Sequence, residues 1–398
     1  MRVGTPGFVP DRLIEARAAR RIPSKKALAT LLSVNPSTVT RWEDGKSAPD
    51  ADALAELAVH LHVRREYFLR PVISSDRPLF YRTLSSTSAK DLNYQESQMH
   101  WLQEISSIVE HYVDFPEVDI PDVLNGSSYK QLRDEDIEQI ASDLRERWGI
   151  GHGPCTDIMQ RLECIGCIVG SIEMSTSKLD GLCSWVQGSN RPYILLSTDK
   201  MSFPRRQMDA AHELGHAVLH RNVTGEELRK NLKEIERQAF RFASAFLMPV
   251  TTYPYEVKEA SLAALLSLKE RWRVSVKAQI RRLSDLNLIP EEHALSLYKL
   301  YSAKGWNREE PLDRDWPISK PTLLANALQL IVDSGIRSKS DLLSVEFTMK
   351  AGDIENLAAL PPGWFSKSAE VIPLKIRTST AENTPVFSSQ IVEFPRRK

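Results

Sequence analysis

The chain has 398 residues, more than a single compact core usually holds, so two to four domains are expected. Its make-up, 42% hydrophobic and 26% charged with 52 basic side chains against 52 acidic ones, excludes a polyelectrolyte and a low-complexity chain. No apolar run reaches the roughly 18–20 residues that span a bilayer, and the first twenty residues lack the apolar stretch of a secretory signal. A cytoplasmic protein with no membrane partner is therefore expected, with Cys155, Cys164, Cys167 and Cys183 as free thiols or ligands.

Residues 1–71 hold 12 Lys/Arg and 8 Asp/Glu, a mild basic excess, and residues 10–70 read as five short helices. The stretch Ser24–Lys46 carries the most local information. Ser24 can cap one helix, with Ala27, Leu28 and Leu31 facing inward. Ser33 and Val34 turn the chain, Asn35 caps the next helix, and Pro36 occupies its first position. Val39 and Trp42 face the core. Ser37, Thr38 and Arg41 are left on the exposed front, where such a helix meets base edges. Arg41 could read guanine with two hydrogen bonds, and Lys25 and Lys46 are placed for phosphates. This stretch, including W-E-D-G-K, resembles the phage-repressor (Cro/C1, or XRE) helix-turn-helix family. The resemblance implies a double-stranded DNA operator bound by a homodimer. A protein-docking module of the same shape is the alternative.

Further along, Pro71–Ser88 reads as a connector. A helix is expected over Lys90–Val113, with Trp101, Leu102, Ile105, Ile108, Val109 and Tyr112 on one face. The segment 114–128, rich in Pro and Asp, reads as a linker. Helices are expected at Asp134–Trp148 and Thr156–Ile165. Strands are expected at Cys167–Ile172, Gly181–Val186 and Tyr193–Ser197. Helices follow at Arg205–Leu219, Glu226–Leu247 and Leu262–Trp272, with continuous helix from Val276 to Ala303. The expected domains are a helix-turn-helix domain (1–72), a helical linker (73–130), an α+β domain (131–300), a helical C-terminal region (301–367) and a flexible tail (368–398). The fold class is multidomain and mainly α, with one small sheet.

The chemistry concentrates in D-A-A-H-E-L-G-H-A-V-L-H (209–220). On a helix, His212 and His216 lie one turn apart on one face and can share a metal ion. Glu213 is offset by about 100°, beside the metal, where it can accept a proton from water as a general base. A chance H-E-x-x-H usually binds nothing, but apolar flanks would bury these imidazoles, and buried imidazoles need partners. The small Gly215 could let another backbone approach this helix. Downstream, I-E-R-Q-A-F-R-F-A-S-A-F-L-M-P (235–249) forms an apolar face beside Glu236, a candidate third ligand. A His₂Glu set leaves a position for water, as in hydrolytic zinc sites, although such ligands also accept manganese or iron. The competing ligand, His220, sits about 80° round the helix from His212 and is expected to pack or hydrogen-bond instead.

These two segments together resemble the ImmA/IrrE metallo-endopeptidases, bacterial proteases that cut helix-turn-helix repressors. The resemblance covers about residues 130–300. It implies a minimal zincin fold, one Zn²⁺ per chain on His212, His216 and Glu236, Glu213 as catalytic base, and a repressor as protein substrate. It also implies an edge strand that holds substrate by β-addition, for which Gly181–Val186 is the candidate. One departure is Arg281–Arg282, where the family leads one to expect Tyr-Arg. The function expected is a DNA-bound endopeptidase that cuts a repressor or itself on a stress or ligand signal. A non-catalytic regulator using the zincin fold as sensor or dimerisation platform is the alternative. The single Cys164-x-x-Cys167 pair lacks the second pair of a zinc ribbon. Cys183, in the candidate edge strand, is a candidate latency thiol that could block the metal.

Overall fold

The computed structural model describes residues 3–73, 78–80, 88–174, 180–186, 190–199 and 202–366. The N-terminal helices are α1 (Pro10–Ala19), α2 (Lys25–Leu31), α3 (Pro36–Glu43) and α4 (Ala51–His60), and the expected fifth is a 3₁₀ turn, Arg65–Leu69. The local signals act as read. Ser24 Oγ accepts from the Ala27 amide at 3.1 Å and Asn35 Oδ1 from the Ser37 amide at 3.0 Å, satisfying donors that a helix start leaves open. Leu13, Leu28, Val39 and Leu57 are fully buried beneath them.

Helix α5 (Ala89–Glu110) is where the structure departs most from the pattern. Trp101, Leu102, Ile105 and Val109 are buried as expected, but so are the polar Gln95, Gln98, Gln103 and Ser106 of the same helix. The segment read as a linker is thus a core helix. Arg12 of α1 pairs with Glu104 at 2.8 Å, Trp101 Nε1 donates to Tyr67 Oη at 3.0 Å, and Ser106 Oγ meets Tyr193 Oη at 2.9 Å. These contacts are polar, so hydropathy periodicity cannot show them. The chain up to Phe365 consequently packs as one unit.

Helices α6 (Asp134–Arg147) and α7 (Ile158–Cys164) lead into the sheet, whose strands are β1 (Ile168–Ile172), β2 (Gly181–Val186) and β3 (Arg191–Ser197). The order is β1-β3-β2, with β1 parallel and β2 antiparallel to β3. Both faces are covered. Val169, Cys183, Trp185, Ile194 and Leu196 join one core, while Ile168, Leu182, Tyr193 and Leu195 join the core that includes α5.

Nine more helices follow among the described residues. They are α8 (Phe203–Leu219), α9 (Gly225–Leu247), α10 (Tyr253–Glu256), α11 (Leu262–Trp272), α12 (Val276–Asp285), α13 (Glu291–Ala303) and α14 (Leu323–Asp333), with the short α15 (Lys339–Asp341) and α16 (Ala351–Leu357) after them. The helix expected over Val276–Ala303 is broken between α12 and α13. Asn287 sits at φ +54°, a left-handed conformation Asn tolerates, and Pro290 caps α13. The C-terminal region completes both cores. Glu310 and Asp313 hold the fully buried Lys269 at 2.8 and 2.7 Å, while Asp353 pairs with Arg20 at 2.6 Å. The expected tail, 368–398, lies outside the described residues.

Candidate metal centre and DNA face

Helix α8 starts at Phe203 with Pro204 in its first turn and buries His212, Glu213 and His216. Helix α9 lies against it at Gly215. A Cβ there would fall 3.0 Å from the Ala239 carbonyl oxygen and 3.2 Å from its Cα, so the small residue permits the close approach read from the sequence. Glu236, one turn before Ala239, is thereby delivered to the histidines. His212 Nε2 and His216 Nε2 are 3.1 Å apart. Glu236 Oε2 lies 3.3 Å from the first and Oε1 3.2 Å from the second.

These residues fit a metal ion. Among the described residues they form a group whose donor atoms lie within 4.8 Å of one another. Bonds of 2.0–2.1 Å in a tetrahedral zinc site put neighbouring ligands about 3.3 Å apart, close to the separations seen. Two imidazole nitrogens face each other across 3.1 Å, an arrangement that needs a proton or a cation between them. Neither buried oxygen of Glu236 makes a well-aligned hydrogen bond. Burial raises the Glu236 carboxyl, but His212 and His216 outweigh it and hold the group well below the usual carboxylate range.

His220 is not in this group. It caps α8 and is fully buried. Its Nε2 lies 3.0 Å from Gln238 Oε1 and its Nδ1 3.1 Å from His216 Nδ1. The Gln238 amide nitrogen donates to the Tyr129 carbonyl at 2.9 Å and to Glu234 at 3.1 Å, which points its oxygen at His220. His220 therefore carries its proton on Nε2 and accepts from His216 Nδ1–H, leaving His216 Nε2 bare towards the shared site. Burial, then the neighbouring His216, pushes His220 down to about 3, so it is neutral near pH 7. Sequence reasoning placed His220 as a hydrogen-bonding neighbour and missed Gln238 and Tyr129.

Glu213 lies against the start of β2, where a Cβ on Gly181 would collide with its carboxylate. The strand is at the sheet edge, as expected. Cys183 is fully buried. Burial, then Glu213 and Cys167, pushes its thiol well above the ordinary range. That environment favours the neutral thiol in the metal-free protein. The C-x-x-C pair is split between an exposed Cys164 and a buried Cys167. Among the described residues two aromatic rings flank His212 and His216, and neither was read as part of the site from the sequence. Phe240 lies 4.1 Å from the His212 ring, and Phe80 stacks on His216 at 4.9 Å with 16° between planes. Arg281 is exposed and bonds Asp285 at 2.8 Å, while the buried Arg282 bonds the Met248 carbonyl at 2.9 Å and also Glu138. Arg282 thus ties the end of α9 to α6.

On α3, Ser37 and Arg41 are exposed and Thr38 is half-buried. Ser37 Oγ donates to Asn35 Oδ1 at 2.9 Å. Lys25 and Lys46 both pair with Asp44, at 3.2 and 3.0 Å. The Lys46 pair is the more exposed, whereas Lys25 also lies 3.6 Å from the buried Glu43.

Two family models match this chain. Residues 162–284 match the IrrE N-terminal-like domain, from the end of α7 through the sheet, α8 and α9 into α12, and residues 13–68 match a helix-turn-helix model. The chain joins a helix-turn-helix domain to an IrrE-like domain. No curated protein matches the chain. The IrrE-like domain has a metallopeptidase-like fold, and it contains every member of the His212–His216–Glu236 group as well as Glu213, Gly181, His220 and Gln238.

Proposed function

We propose that this chain is a DNA-binding, zinc-dependent endopeptidase that regulates transcription by cutting a helix-turn-helix repressor, or its own chain, in response to a stress or ligand signal. The observation that carries the reading is the convergence of His212, His216 and Glu236 with Glu213 beside them, next to a sheet edge. His212, His216 and Glu236 hold one divalent ion. When bound, it supplies Lewis acidity towards a peptide carbonyl and towards water. Glu213 accepts the proton of the attacking water and returns it to the leaving amine. A purely structural site has no use for such a base. Strand β2 offers its backbone to an extended substrate. On the DNA side, Ser37, Thr38 and Arg41 face base edges, and Lys25 and Lys46 exchange Asp44 for phosphates. The operator is bound by two chains, and the site of action is the cytoplasm.

A second reading is favoured by two observations. His216 and Glu236 are only 1% and 8% exposed, and the helix-turn-helix domain is tied into the same unit through Arg12 and Glu104. A regulator that uses the zincin fold as a sensor, without turnover, would look the same. Elemental analysis of wild type and of Glu236→Ala and His220→Ala variants separates the cases. About one zinc per chain, lost in Glu236→Ala and retained more weakly in His220→Ala, is the expected result. Absence of metal in wild type after zinc is supplied removes the peptidase reading. Regulation that persists in Glu213→Gln favours the second.

A further inference from the structure

The sheet edge that faces the metal centre already has an occupant. Phe80 forms an isolated antiparallel bridge with Cys183 of β2, its amide donating to the Cys183 carbonyl at 3.0 Å. It therefore sits where an added strand would sit, on the side of β2 away from β3. The alternation of a strand holds over the two residues that show it. Leu79 packs on the core that includes α5, and Phe80 packs on the metal-helix core. The Phe80 ring is 3% exposed. It lies flat on His216, 4.9 Å away, and 6.0 Å from His220. Pro78 approaches the first residue of α9, Gly225. Residues 78–80 thus run from the start of α9 to the β2 edge, beside the histidines.

We propose that Pro78–Phe80 is a resident pseudo-substrate strand, and that the position of the Phe80 ring is a subsite for an aromatic side chain two-sidedly framed by His216 and the β2 edge. The inference rests on the peptidase reading above for its meaning, but not for its test. Its substrate class is an extended peptide segment with a large aromatic residue, paired with β2 through main-chain hydrogen bonds and read by that one pocket. A tethered strand competes at an effective concentration of about millimolar, so a separate substrate must displace it. Among the described residues one bridge, Phe80 to Cys183, joins the segment to β2, and one bridge is readily exchanged. The Phe80 ring covers one side of the buried His216 ring.

The test is binding, read without hydrolysis. A fluorescein-labelled peptide with the sequence of residues 76–84 is titrated by anisotropy into chelator-treated full-length protein, wild type and Phe80→Ala. The expected result is at least tenfold tighter binding to Phe80→Ala, lost when the peptide carries Ala in place of its Phe. Equal binding to both proteins, or no binding to a Phe80→Ala variant with native circular dichroism, overturns the proposal. Should that variant not fold, hydrogen exchange on wild type decides. Excess peptide is expected to speed exchange of the Phe80 amide at least tenfold, and unchanged exchange overturns the proposal. Because no turnover is read, a protein that fails to cleave can still pass, and a protease that cleaves can still fail.

Discussion

Replacing Gln238 with Leu tests the idea that a residue off the metal sets the ligand's protonation. Gln238 Oε1 is the acceptor for His220 Nε2–H at 3.0 Å. Leucine leaves that buried donor unsatisfied, at about 1–3 kcal/mol, unless His220 moves its proton to Nδ1. That tautomer puts a second N–H against His216 Nδ1–H at 3.1 Å. His216 must then carry its proton on Nε2, the atom 3.1 Å from His212 Nε2 and 3.2 Å from Glu236. A protonated Nε2 cannot bind metal. Loading the site has to reverse this chain of shifts, so zinc affinity is expected to fall about 10- to 100-fold, or roughly 1.4–2.8 kcal/mol. Competition with a chromophoric chelator at pH 7.5 measures it, with the exposed Arg281→Ala as control. A folded Gln238→Leu variant that binds zinc within twofold of wild type would refute the reasoning.

Three further outcomes follow from other contacts. Gly215→Ala gains about 1 kcal/mol of helix propensity but presses on the Ala239 backbone, at about 1–3 kcal/mol. The variant should be no more stable than wild type and should bind zinc more weakly, and a gain in chemical-denaturation stability with unchanged zinc affinity would contradict the close approach. Glu310→Ala removes one of the two carboxylates that hold buried Lys269, the acceptor of the Val276 and Lys277 amides, and the acceptor of Tyr301 Oη. A loss of about 3–5 kcal/mol in urea unfolding is expected, and a loss under about 1 kcal/mol is inconsistent with the buried pair. In metal-free protein, His220 titrates at about 3 when folded and at about 6.5 when unfolded. The unfolded chain takes the proton first, so stability is full above pH ~6.5 and falls by about 1.4 kcal/mol per unit below it. Between pH 6 and 4 the wild-type slope should exceed that of His220→Asn by about one proton, and parallel slopes would remove this role.

What could be read from the chain was local. The caps at Ser24 and Asn35, the turn spacing of His212 and His216, and the offset of Glu213 depend on residues within one or two helical turns, where backbone geometry is nearly invariant. The placing of Glu236 went one step further, because an apolar face and a small Gly215 said which side of α9 must meet α8. The break at Asn287 and Pro290 was also written locally, but the apolar pattern across it masked the signal. Tertiary structure alone decided the rest. Helix α5 is buried together with glutamines, serines and a glutamate of its own, the last paired with Arg12, and these carry no hydropathy period. Nothing near Gln238 in the sequence says that its oxygen faces His220 and its nitrogen Tyr129. Among the described residues the bridge at Phe80 stands by itself, with no run of alternation to betray it. Short-range geometry is therefore legible in order, whereas the partners of buried polar groups and of one-residue strands are set by whichever distant backbone the whole packing brings to them.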